Sequence, residues 1–147
     1  PSNSAAVQGF RYNARVMAEH IAAAHFGVSP PARAIHPDEL VAHLLGEATS
    51  GPELWNQRSY LASAVELRDG GWFDAGIQPL AHFVDAAGPD AVAVAVETDS
   101  AGDIHPAIYL RTAGRVSEHV LPSDALHRFD TTEHEKQLSE LLATFRG

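Results

Sequence analysis

The sequence predicts an α+β fold: a helical N-terminal half packed with a three-stranded antiparallel β-meander and a C-terminal helix. Three observations predict it. Apolar residues recur at spacings of three and four through much of the first half. The run Ala91-Val92-Ala93-Val94-Ala95-Val96 has a strict period of two. After it, short β-type segments alternate with turn residues until a helical pattern returns at Thr132.

Taken in order, the first helix is expected from about Phe10 to Phe26. Phe10, Ala14, Met17, Ile21 and Ala24 fall on one helical face, with Arg15 and Glu19 four apart on the outside. Gly27 then caps it, and Ser29-Pro30-Pro31 forbids continuation. A second helix starts at His36-Pro37-Asp38-Glu39, where proline takes the first position and two acids meet the positive end of the helix dipole. Leu40, Val41, Leu44 and Leu45 form its buried stripe, and Gly46 ends it. A third helix is expected from Pro52 to about Arg68, with Leu54, Leu61 and Val65 inward, stopping at Asp69-Gly70-Gly71. Trp72 to Ile77 has no helical period and reads as a short strand or an irregular loop. A short helix follows Pro79, with Leu80, Phe83 and Val84 inward.

The Ala91–Val96 run has no polar side, so both faces of that strand should be covered, the alanine side closely by a helix. The next strand, Ile104 to Arg111, is placed at an edge or bulge by Pro106. Thr112-Ala113-Gly114-Arg115 turns into the third strand, Val116 to Leu121. With Ala113-Gly114 as the turn, Arg111 faces Val116, Tyr109 faces Glu118 and Ala107 faces Val120. Thr132-Glu133-His134-Glu135 has the spacing of a capping box, and Leu138, Leu141, Leu142 and Phe145 make the closing helix's apolar stripe.

The 147 residues read as one domain. Pro1-Ser2-Asn3-Ser4 lacks the basic and apolar regions of a secretory leader, and residues 1–9 are expected to form a flexible arm. No apolar run reaches the length of about 20 residues that spans a bilayer, and the chain has no cysteine. Thiol catalysis and disulfides are thereby excluded, and a cytoplasmic location is expected. Nineteen acids oppose ten bases, for a formal net charge of −9. Nine of the bases are arginine, with Lys136 the one lysine. This balance argues against nucleic acid and anionic membranes as partners and favours a basic protein.

The predicted hairpin register gathers His105, Tyr109, Arg111 and Glu118 on one face, with Asp103 nearby. A histidine beside a carboxylate suits acid–base chemistry near neutral pH. Tyr109 could polarise a carbonyl and Arg111 could hold an anion. The same residues also fit a solvated face whose cross-strand pairs only steady the hairpin. His36, Glu39 and His43 form a second set, in which Glu39 and His43 share a helical face one turn beyond His36. Two imidazoles and a carboxylate can bind a divalent metal, although the spacing is not the His-Glu-x-x-His of zinc proteases. No cofactor-binding motif is present. Two functions follow as expectations. One is a non-catalytic acidic binding or accessory domain docking on a basic protein partner. The other is a small acid–base or metal-assisted enzyme using the hairpin face. The strand Ile104–Arg111 also offers an edge through which two copies could pair.

Overall fold

A computed structural model of the chain describes residues 7–28 and 31–145. The elements run α1 (Val7–Phe26), β1 (Arg33–Ile35), a 3-10 turn (Pro37–Glu39), α2 (Leu40–Ser50), α3 (Pro52–Asn56), β2 (Leu61–Arg68), β3 (Gly71–Pro79), α4 (Leu80–Asp85), β4 (Ala91–Thr98), β5 (Ile104–Thr112), β6 (Arg115–Val120) and α5 (Thr132–Phe145). The strands form one six-stranded sheet in the order β1-β3-β2-β4-β5-β6, antiparallel throughout. The α+β class therefore holds, and the meander β4-β5-β6 is half of a larger sheet.

The two faces of the sheet follow from the alternation in β4. Val92, Val94 and Val96 point to one side with Val65, Ile108 and Leu110. There α2 contributes Leu40, Leu44 and Leu45, and α5 contributes Leu138 and Leu142. Fully burying an aliphatic side chain of this kind is worth about 1.5–3 kcal/mol. On the other side lie Ala62, Ala64, Ala91, Ala93, Ala95 and Ala107, each with no exposed surface. Their small side chains let α4 approach, and Phe83 seats on them at 1% exposure.

The expected third helix is corrected: only Pro52–Asn56 is helical, and Leu61–Arg68 is strand β2. Gln57 leaves helical geometry (φ −129°, ψ 51°) and Ser59 takes a positive φ of 59°. The strand's first five residues, Leu61 to Val65, are all buried, so the period of two that marks a half-buried strand is absent. Asp69-Gly70, at φ 49° and 78°, is the tight turn into β3, so the segment from Trp72 to Ile77 is a strand. A bulge between Ala64 and Val65 uses Gly76 at φ 77°, whose N–H donates to Asp74 at 2.9 Å.

The β5–β6 register is the expected one, and Ala113-Gly114 form its turn at φ 49° and 76°. However, β5 lies between β4 and β6, so it offers no edge for pairing two copies. Pro106 sits inside the sheet, its carbonyl accepting from the Leu121 N–H at 2.9 Å. The α2 helix continues past Gly46 to Ser50. Val84 is 41% exposed rather than inward. The α5 cap falls at Thr131, whose hydroxyl bonds the His134 ring at 2.7 Å.

The first helix departs most from expectation. It begins at Val7, so residues 7–9 of the expected arm are helical, while residues 1–6 of that arm, with Ser29 and Pro30, lie outside the described residues. Gly27 follows its last turn at φ 66°. Its apolar stripe faces solvent: Phe10 is 62% exposed and Met17 59%. Among the described residues, no helix is long and apolar enough to cross a membrane.

Candidate functional site

The period of two puts Glu97 on the alanine side of β4, one step beyond Ala95. The β4–β5 register sets it opposite His105. On β6, Glu118 is opposite Tyr109. Tyr109 leans along the sheet past Ala107 and donates its hydroxyl to Glu97 Oε1 at 2.5 Å. His105, Glu97 and Glu118 line a concavity of about 590 Å³ at this end of the sheet, with Asp99 and Gln137 among its other walls. His105 is 8% exposed.

Three carboxylates, Glu97, Asp99 and Glu118, thus face one hollow whose lining contains no arginine or lysine. Among the described residues none of the three forms an ion pair. Asp99 is held in place by its own turn, with Oδ1 accepting from the Ala101 and Asp103 N–H groups at 2.8 and 2.9 Å. Those donors, that of Asp103 foremost, keep its carboxyl below the usual range. Burial, with the hydrogen bond to Glu97 second, pushes the Tyr109 phenol far above its ordinary value. Tyr109 therefore stays a neutral donor to the Glu97 carboxyl group.

Arg111 is elsewhere. It shares the face but lies at the opposite end of β5, beneath α4. Its Nε donates to the Pro89 carbonyl at 2.8 Å, and its Nη1 to the Phe83 and Ala86 carbonyls at 3.1 and 3.3 Å. The guanidinium lies over the Phe83 ring at 4.7 Å, with Glu66 at 3.8 Å. With its donors engaged, Arg111 holds the α4–β4 connection to the sheet. The structure thus brings together His105, Tyr109 and Glu118 and leaves Arg111 out. Comparisons with family models, curated proteins and solved structures returned no match to this chain. The chemistry must be read from the side chains alone.

The second set does not converge. His36 caps the 3-10 turn, its Nδ1 accepting from the Asp38 N–H at 3.3 Å. Glu39 is exposed and makes no side-chain cap bond to α2. His43 meets the Arg33 guanidinium at 3.4 Å, and burial pushes its imidazole below the ordinary value. Among the described residues no three His, Asp or Glu side chains gather as a metal would need.

A larger cleft of about 840 Å³ lies between α1 and the β3 side of the sheet. Its charges carry their own counter-ions: Arg68 pairs with Glu66, and Arg33 with Asp74 at 3.5 Å. Glu97 and Asp99 are the residues that sequence reasoning missed at the smaller site. The alternation that placed Ala95 also fixes the side of Glu97. Asp99 lies in the polar stretch Thr98-Asp99-Ser100-Ala101-Gly102-Asp103, whose composition signals a turn and nothing more.

Proposed function

We propose that this chain is a non-catalytic binding domain that docks on a basic protein partner. In this reading the concavity at the β4–β5–β6 end takes an arginine or lysine side chain of that partner. The observation that carries it is the set of three carboxylates, Glu97, Asp99 and Glu118, lining one hollow that has no arginine or lysine of its own. A partner cation would supply the missing charge, and charge-assisted hydrogen bonds are the strong ones. The net charge of −9 would speed the encounter with a basic surface.

The test uses a labelled arginine-rich peptide and its citrulline analogue. The arginine peptide should bind at low ionic strength and weaken steeply as salt rises. Glu97→Gln with Glu118→Gln should reduce its affinity by about tenfold or more, while Glu97→Gln keeps an acceptor for Tyr109. Equal binding of both peptides, or no effect of the double variant, would count against the reading.

A second reading is favoured by one observation: His105 lines the hollow with three carboxylates, one of which, Glu97, accepts from the Tyr109 hydroxyl. Such a group could move a proton at a bound substrate. It predicts that His105→Ala or Glu118→Ala abolishes a turnover while the melting temperature barely moves. Parallel losses of both would make the residues structural.

A further inference from the structure

The first helix presents its better apolar side to water. Its attachment to the body is through buried Gly9 and Tyr12, with Val16 half-buried. Arg15 also bridges to Glu53 at 2.6 Å. On another face Val7, Phe10, Ala14, Met17, Ile21 and Ala24 alternate at spacings of three and four. Val7 is 87% exposed, Phe10 62%, Met17 59% and Ile21 42%. A repeat of 3.5 residues along a helix of 20 residues is the seam of a two-stranded coiled coil. An apolar stripe left contiguous in water marks an interaction surface.

The residues beside the seam choose its occupant. Arg11, Ala18 and His25 flank it on one side, Asn13 and His20 on the other. None is a carboxylate. Glu19, the single acid of the helix, lies off the seam and is 3.7 Å from Arg15. A second copy would gain no ion pair here. Antiparallel pairing sets Arg11 against His25, and parallel pairing sets His20 against His25. An anionic membrane is also a poor match, because the helix carries two arginines and no lysine, where membrane-binding segments carry clusters of about four to eight basic residues.

We propose that α1 is a docking seam for an acidic amphipathic helix of a partner protein. Aliphatic side chains of that helix would fill the seam, and its Asp or Glu residues would lie beside Arg11, His20 and His25. This site is separate from the acidic hollow and opposite to it in charge preference, so each can fail alone.

The probe is a labelled peptide of about three heptads with leucine at both core positions and glutamate at all flanking positions. Its control carries lysine at the flanks. Against the full chain, the glutamate peptide should bind about tenfold tighter than the lysine peptide, and the gap should shrink in high salt. Phe10→Ser and Ile21→Ser should each weaken it by about fivefold or more without shifting the melting temperature, since both side chains are exposed in the free chain. Equal binding of the two peptides, binding indifferent to the serine variants, or no binding at all would overturn the proposal. So would a Met17-dependent dimer of the chain alone in sedimentation velocity, which would make a second copy the occupant. Phe10-dependent pelleting with phosphatidylcholine–phosphatidylserine vesicles, without peptide binding, would assign the seam to a membrane.

Discussion

Replacing Gly88 with alanine should destabilise the protein through one side chain, Arg111, and the effect should vanish when that side chain is changed. A methyl group at position 88 would lie 2.6 Å from Arg111 Nη2 and 2.8 Å from its Cζ, so the guanidinium must move. The side chain of Arg111 is 6% exposed and gives hydrogen bonds to three carbonyls, those of Phe83, Ala86 and Pro89. Taking about 1 kcal/mol for each carbonyl left without its donor, Arg111→Met should cost about 3 kcal/mol. For a chain of this size that lowers the melting temperature by about 6–12 °C. Gly88→Ala displaces the same donors less completely and should cost about 2 kcal/mol. In the Arg111→Met background the obstacle is gone. Gly88 is not among the residues at positive φ, so alanine there should be neutral or stabilising by about 0.4–1 kcal/mol, through a less flexible unfolded chain. The assay is a double-mutant cycle by urea melts followed with tryptophan fluorescence. Additive losses, with Gly88→Ala costing the same in both backgrounds, would refute the clamp.

Other outcomes follow from single contacts. Phe83→Ala removes a large, fully buried side chain seated on the alanine face and should cost about 3–5 kcal/mol in the same melts. Tyr109→Phe deletes the 2.5 Å hydrogen bond to Glu97 and should cost about 1–3 kcal/mol near neutral pH. Because folding raises the Tyr109 value, its contribution is present below about pH 10 and is lost as pH rises. Ultraviolet titration should therefore show Tyr109 ionising only as the protein unfolds. Burial lowers the His43 value, so the unfolded chain binds that proton more readily. Stability should therefore rise with pH up to about 6.5, and His43→Gln should flatten that rise. Burial, with Glu53 as the next cause, raises the Glu47 value. It therefore contributes stability below about pH 4.5 that is lost as pH rises, and Glu47→Gln should remove that loss.

The second half of the fold was legible because its signals were local. The alternation of Ala91–Val96 and the Ala113-Gly114 turn fix strand faces and hairpin register without reference to the rest of the molecule. That register placed His105, Tyr109 and Glu118 on one face. It could not say how far along the face each one lies, so Arg111 was grouped with residues at the other end. The strand Leu61–Arg68 was misread because Leu61 and Val65 are four apart and its buried centre shows no polar alternation. Asp69-Gly70, a strong hairpin signal, was the clue against a helix there. The first helix was identified correctly, but a periodic stripe says only which residues share a side. It does not say that the side is buried.

The strand order has a kinetic meaning. Strands β2 and β3 close through a tight turn, and β4, β5 and β6 follow one another as neighbours. Each group can zip locally at little loop-closure cost. The β2–β4 pairing, Ala62 with Ala95 through Glu66 with Ala91, joins the two groups across β3 and α4. The β1–β3 pairing closes a longer loop but returns only the short strand Arg33–Ile35, so the β2–β4 join is where loop closure opens the way to the larger pairing. The rate-limiting step of folding is therefore expected at this join, in the middle of the sheet. Changes there should slow folding, whereas changes at β1 or β6 should mainly speed unfolding.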